Sequence, residues 1–236
     1  MVSLNLYSNF VDRATADANN LTYAHDNTFV LRADFTNVVG AGEYGRKSVR
    51  LVSSRTFAHH AVMYVASNPG PRDRFLMLHP STYSFDVRHM PQGCGTWPAV
   101  WEAGLNGWRN AGEVDIIEGT NQAGPNQVAL HTSPGCTMPA DRPQTGAAKL
   151  NDCNALVNNN AGCGVLDTRG NSFGPAFNAN GGGLFAMERT ETFIKVWFWP
   201  RDGSPPDEVR GGNDNINTDN WVSLSTRVAF TSRVRF

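Results

Sequence analysis

The chain has 236 residues, enough for one domain with a sizeable core, and a formal net charge of −1 from 20 basic and 21 acidic side chains. That balance gives no broad basic surface for nucleic acid or anionic lipid. The longest apolar runs, such as residues 61–66, are far too short to cross a bilayer. From the N-terminus, residues 1–10 lack the basic start and apolar stretch of a secretory leader. Asn20-Leu21-Thr22 fits a glycosylation acceptor. Residues 29–35 read as a strand. The string Gly40-Ala41-Gly42-Glu43-Tyr44-Gly45 has the spacing of a dinucleotide loop, but residues 47–52 after it read as a strand rather than a helix, so it is a glycine-rich turn. Residues 67–74 are a turn-rich loop, and His59, His60, His79 and His89 lie scattered around it without metal-ligand spacing.

The segment Gly93-Cys94-Gly95-Thr96-Trp97-Pro98-Ala99-Val100-Trp101, followed by Trp108, holds three of the six tryptophans within twelve residues. An indole gives a flat apolar platform with one hydrogen-bond donor, which suits the C–H face of a sugar. Trp97 and Trp101 would share a face in a strand, either the core or a cleft, and closeness to the next segment favours the cleft for Trp101 and Trp108.

That next segment is Gly112-Glu113-Val114-Asp115-Ile116-Ile117-Glu118-Gly119. Alternation puts Glu113 and Asp115 on one face of a strand and Glu118 on the other, where an unpaired carboxylate is costly. One residue bulged out between Asp115 and Glu118 restores the register and gathers all three acids on one face. Crowded carboxylates push their pKa values apart, so that one can act as an anion and another as an acid. His131, on what reads as the following strand, either faces these acids and sets their protonation or is a structural histidine.

Residues 134–174 are rich in Gly, Pro, Asn and Asp and carry Cys136, Cys153 and Cys163, so they read as a disulfide-tied excursion from the sheet. With Cys94 the cysteines number four and allow three pairings, and at least one disulfide is expected. Residues 178–183 read as a loop, 192–199 as a strand and 202–219 as a polar loop. The whole is all-β in one domain, 1–236.

The acidic string and the tryptophan segment before it resemble the glycoside hydrolase family 16 signature, closest to the fungal endo-1,3(4)-β-glucanase, laminarinase-like branch. Further segments fit it: Val11-Asp12-Arg13-Ala14-Thr15-Ala16, Gly45-Arg46-Lys47-Ser48-Val49-Arg50 and His89-Met90-Pro91 upstream, and His131-Thr132-Ser133-Pro134-Gly135-Cys136, Ala161-Gly162-Cys163-Gly164 and Ile194-Lys195-Val196-Trp197-Phe198 downstream. The resemblance implies a concanavalin-like β-jelly-roll sandwich of two antiparallel sheets with a sugar cleft across its concave face. It implies retaining hydrolysis of 1,3- or mixed 1,3/1,4-β-glucan, with Glu113 as nucleophile, Glu118 as general acid/base and Asp115 tuning both. Trp101, Trp108, His131 and Trp97 would bind substrate, and no cofactor or metal is called for. A secreted monomer acting on polysaccharide, with no nucleic-acid or membrane partner, follows from it. Against that pattern, residues 57–78 read as an insertion, and the chain reads as short of a strand at each end. The other readings are a β-glucan-binding, lectin-like sandwich without catalysis and a truncated, inactive enzyme.

Overall fold

Most of the β-branched and aromatic runs become strands of two antiparallel sheets that share one core. The computed structural model describes residues 8–26, 28–43, 45–53, 60–65, 74–79, 82–104, 107–122, 124–190, 193–211 and 217–221, with the backbone alone described at 60–65, 74–79 and 82–83. The larger sheet has seven strands in the order Ala147–Ala148, Cys163–Leu166, Gln127–His131, Glu113–Glu118, Ala99–Gly104, His60–Val65 and Leu51–Val52. The smaller has four, in the order Ile194–Pro200, Gly183–Arg189, Thr82–Val87 and Arg74–His79. The strand rich in acids is therefore the centre of the larger sheet.

Alternation decides what meets between the sheets. Val100, Val114, Val128 and Leu130 face inward from the larger sheet, against Phe85, Phe185, Val196 and Phe198 of the smaller. Phe185 and Phe198 stack with ring centroids 4.6 Å apart. Phe177, from the short helix Gly174–Ala179, and Phe173 close one side of the core. Each such side chain contributes about 1.5–3 kcal/mol on burial. One charged pair lies in this layer: Glu102, 1 % exposed, meets Arg189 with Nε 2.7 Å from Oε1. Glu102 stands opposite Val114 in the register, which is why it points inward.

A smaller cluster of Ala16, Leu21, Leu31 and Val49 forms at the N-terminal side. Its helix, Arg13–Ala18, starts at Asp12, whose Oδ1 accepts from the Thr15 N–H at 2.8 Å. Among the described residues, no helix is long and apolar enough to cross a membrane.

Several boundaries differ from the sequence expectation. The strand expected over 29–35 is Thr28–Leu31. Asp34 ends it, because its carboxylate accepts from the backbone N–H groups of Thr36 and Asn37 and from both of their side chains, which turns the chain. The run 47–52 is two short strands broken at Val49 and Arg50; Arg46–Ser48 pairs in parallel with Ser8–Phe10, and Leu51–Val52 joins the larger sheet. The excursion 134–174 returns to the sheet as the strand Cys163–Leu166. Loop 178–183 begins inside a helix, where Asn178 clamps Met90 by accepting from its N–H at 2.8 Å and donating to its C=O at 2.9 Å. Loop 202–219 contains the helix Asp207–Gly211, while residues 212–216 lie outside the described residues. Of residues 57–78, read as an insertion, 60–65 and 74–78 are strand, one in each sheet, while 57–59 and 66–73 lie outside the described residues. Residues 227–236, read as stopping short, lie outside them too.

Candidate active site

The expected bulge is present. Opposite Ala99–Gly104, Asp115 pairs with Trp101 but Ile117 pairs with Val100, so the acidic strand spends one more residue than its neighbour. Ile116 and Ile117 both turn into the core, at 0 % and 3 % exposure. Glu118 consequently leaves the core and joins Glu113 and Asp115 on the outer sheet face. The two glycines that bracket the strand have separate reasons. Gly112 has φ +74°, and a Cβ on Gly119 would lie 2.5 Å from the Phe173 ring.

Each acid has its own partner. Trp108 Nε1 donates to Glu113 Oε2 at 3.0 Å, and Trp97 Nε1 donates to Glu118 Oε1 at 3.1 Å. His131 Nε2 lies 3.1 Å from Asp115 Oδ2, with both side chains nearly closed to solvent. The other imidazole nitrogen lies 3.2 Å from Asn160 Oδ1. His131 stands opposite Glu113 in the neighbouring strand, so of its two sequence readings the one that faces the acids holds. Trp101 stands opposite Asp115, so it shares their face, and the Arg50 guanidinium lies 4.9 Å from its ring centroid. Trp97 and Trp101 do not share a strand as expected, since the strand starts at Ala99; Trp97 reaches the acids from the preceding turn. Trp108, 46 % exposed, stands at the rim.

The electrostatics follow from this packing. Burial pushes Glu113 up to about 7, helped by the Asp115 charge and opposed by His131, the Trp108 hydrogen bond and Arg50. Burial likewise raises Asp115 to about 6, against the His131 hydrogen bond and with Glu118 adding to the rise. Glu118 is raised by burial and by Glu113, and held back by Trp97 and His131. Burial alone would lower His131, but the Asp115 hydrogen bond and the three carboxylate charges outweigh it and hold the imidazole at about 9. The cluster is therefore three acids around one imidazolium, and it can move protons near neutral pH.

Glu113, Asp115 and His131 each bring one donor atom within 4.8 Å of the others, a spacing that could hold a cation. An imidazolium has no lone pair to offer a metal, so the charge state favoured by the acids works against ligation. The side chains of His59, His60 and His79 lie outside the described residues.

Three neighbours of the acids were not singled out from sequence. Arg50 sits at the break between two short strands. Asn160 closes a run, Asn158 to Asn160, whose φ angles of +51°, +55° and +61° are all left-handed. Asn126 bonds the bulge itself through Glu118 N and Ile116 O. The asparagine run is visible as composition, since Asn tolerates that conformation; the other two leave no local signal. The Asn160 loop is closed by the disulfide Cys153–Cys163, which meets the expectation of at least one bridge, while Cys94 and Cys136 are free thiols.

Paired carboxylates presented on one face are the working part of glycoside hydrolases, and this sandwich carries them at the centre of its larger sheet. A family model described as the XgeA-like, catalytic domain of glycoside hydrolase family 16 matches residues 79–233, and the chain belongs to that family. Laminarinase 16A from Phanerochaete chrysosporium, solved with two β-glucans (6-O-glucosyl-laminaritriose) in its donor and acceptor sites, is 45 % identical with a TM-score of 0.83, over 99 % of this chain and 72 % of that one. An elongating family 16 β-1,3-glucosyltransferase is 31 % identical with a TM-score of 0.78, over 98 % of this chain and 69 % of that one. An endo-1,3(4)-β-glucanase of Arthroderma benhamiae is 38 % identical over 85 % of this chain and 40 % of that protein. A probable endo-1,3(4)-β-glucanase of Aspergillus fumigatus is 34 % identical over 89 % and 29 %. The chain thus spans two fifths or less of the length of these two relatives. The fold is the jelly-roll sandwich of this family.

Proposed function

We propose that this domain is a retaining endo-β-glucanase that cuts 1,3- or mixed 1,3/1,4-linked β-glucan by double displacement. The observation that carries the proposal is the bulge, which leaves Glu113, Asp115 and Glu118 side by side with an indole N–H on each glutamate. Retention requires two carboxyl groups about 5–5.5 Å apart, and two long side chains on one sheet face can adopt that spacing. Glu113 attacks the anomeric carbon, forming an ester as the glycosidic C–O bond breaks, while Glu118 gives its proton to the leaving oxygen. Glu118 then takes a proton from water, which attacks the same carbon and frees Glu113. Asp115, between them and held by His131, sets their ionisation. Arg50, His131 and the Trp108 hydrogen bond favour the anion at Glu113, as a nucleophile needs. Trp101 and Trp108 are the sugar platforms, and Trp97 serves the site through Glu118.

Reducing-sugar release from laminarin and mixed-linkage β-glucan tests this reading. Glu113→Gln and Glu118→Gln should each lose at least about 10³-fold in rate. Near-normal activity in either variant overturns the mechanism, and a wild type that binds glucan without cutting it makes the domain a lectin. The likeness to a glucosyltransferase favours one variant of the reading: the glycosyl-enzyme can be resolved by a sugar hydroxyl instead of water. The disulfide suits a secreted, extracellular protein.

A further inference from the structure

The bulge creates a bonding problem for the strand. An extra residue interrupts the ladder, and the backbone groups beside it lose their regular partners. Asn126 takes both. Its Oδ1 accepts from the Glu118 N–H at 3.0 Å, and its Nδ2 donates to the Ile116 C=O at 3.0 Å. One side-chain amide therefore grips the backbone on either side of Ile117, where the register shifts. Asn126 is 0 % exposed, so water does not compete for these bonds. It is also held from behind. Its N–H donates to Ser172 Oγ at 3.0 Å, its C=O accepts from the Asp167 N–H at 2.9 Å, and Ser172 Oγ donates to the Arg169 C=O at 2.9 Å. The anchor lies in residues 167–172, outside the acidic strand and its two ladders.

We propose that Asn126 is a positioning residue that fixes Glu118 in the place where it exchanges protons with substrate and water; this rests on the general acid/base role assigned to Glu118 above. The bonded N–H belongs to Glu118 itself, so the amide sets the backbone from which that carboxyl departs. A buried asparagine placed only to satisfy loose polar groups could bond any part of the loop. This one bonds the two peptides that decide which face Glu118 occupies. Without the grip the local register is free to relax, and a displacement of about 1 Å at a reacting group costs about 100-fold in rate.

The test separates proton exchange from folding by the choice of leaving group. Dinitrophenolate leaves without protonation, so a 2,4-dinitrophenyl β-laminaribioside forms the glycosyl-enzyme without help from Glu118. Its second step still needs a base for water, but not for azide. Azide nitrogen attacks the anomeric carbon, the ester bond to Glu113 breaks with its electron pair, and a β-glycosyl azide is released. In Asn126→Ala, kcat on laminarin should fall about 10- to 100-fold with KM little changed. Formation of the glycosyl-enzyme from the dinitrophenyl substrate should stay near the wild-type rate, and azide should raise its turnover and yield the β-azide. Equal losses on both substrates with no response to azide would make Asn126 a purely structural residue and overturn the proposal. If the alanine variant does not fold, Asn126→Ser, which leaves a hydroxyl and room for water, is read in the same way. Failure of both variants to fold would also overturn it, since Asn126 would then be a requirement of the sandwich. Glu118→Ala serves as the control. Should azide not rescue that variant, the role of Glu118 itself fails; rescue of Glu118→Ala but not of the folded Asn126 variant defeats only the clamp.

Discussion

Two buried acids, on neighbouring strands of one sheet, are treated in opposite ways. Glu102 faces the core and is matched by Arg189, while Asp115, one residue along the register, faces the outer surface and is matched by His131. An arginine keeps its charge at any accessible pH, so Arg189 takes no part in proton exchange, and the pair joins the two sheets. An imidazole can give up its charge, so the surface cluster can redistribute protons. Indole N–H groups, which donate and never accept, complete that cluster without adding a competing base. The contrast teaches that partner choice, rather than burial, separates the structural acid from the one proposed to serve catalysis: both carboxylates are almost wholly buried, and burial raises both pKa values.

The largest effect should come from breaking the core pair. Glu102→Ala removes one half of a buried ion pair and should cost about 3–5 kcal/mol of stability, read by denaturant unfolding, with kcat of the folded fraction unchanged. A collapse of kcat at full stability would erase the distinction. Asp115→Asn should do the reverse. It keeps the shape but removes the charge that holds His131 at about 9, so kcat should fall about 100-fold while the melting temperature holds or rises. The His131 ring should then titrate lower by NMR.

The pH dependence of stability sharpens the same contrast. Glu102, Glu113 and Asp115 have folded pKa values raised to about 7, 7 and 6, so the folded state keeps protons that the unfolded chain releases. Their contribution is complete below the ordinary carboxylate range and is lost as pH rises through those values. His131, raised to about 9, adds stability below its unfolded value that is lost as pH climbs through 9. All four have one sign, so calorimetry should find the melting temperature falling from about pH 5 to about pH 9. The lower part of the slope should be shallower in Glu102→Gln. A temperature that rises over this interval would contradict the assigned partners.

The smallest effects separate the two indoles. Trp108→Phe removes a bond that lowers the Glu113 pKa, so the acid limb of kcat/KM should move to higher pH by up to about one unit. Trp97→Phe does the same to Glu118, which in the proposed mechanism is protonated for the first step, so the alkaline limb should move up instead. Movement of the same limb in both variants would show that the glutamate roles are not divided as proposed.

Much of this was legible in the sequence because it is local. Three acids in six residues cannot share a face by simple alternation, and that conflict alone located the bulge. The tryptophans were close enough in sequence to suggest a common cleft, and His131 lay one strand away. What stayed hidden is long-range or non-periodic. Glu102 and Arg189 are 87 residues apart, and nothing in the spacing of either announces the other. Asn126 stands directly before the strand Gln127–His131, in a segment with no periodic pattern, so its grip on the bulge leaves no sequence signal. Asp34 cut a strand short because four hydrogen bonds to its carboxylate outweigh the β-propensity of the run.

The bulge has a further meaning in terms of parity. A strand Glu-Val-Asp-Ile-Glu, one isoleucine shorter, would set its acids at positions one, three and five, all on the same side with no irregularity. The six-residue strand reaches the same outcome with an extra step that it hides in the core as a second isoleucine. Odd length with regular pairing and even length with one skipped partner are thus equivalent solutions for the acids. They differ only in how much apolar volume is sent inward and in whether a clamp is required. Deleting Ile116 should therefore spare the arrangement of the three carboxylates while making Asn126 dispensable, a tolerance of length change that few central strands possess.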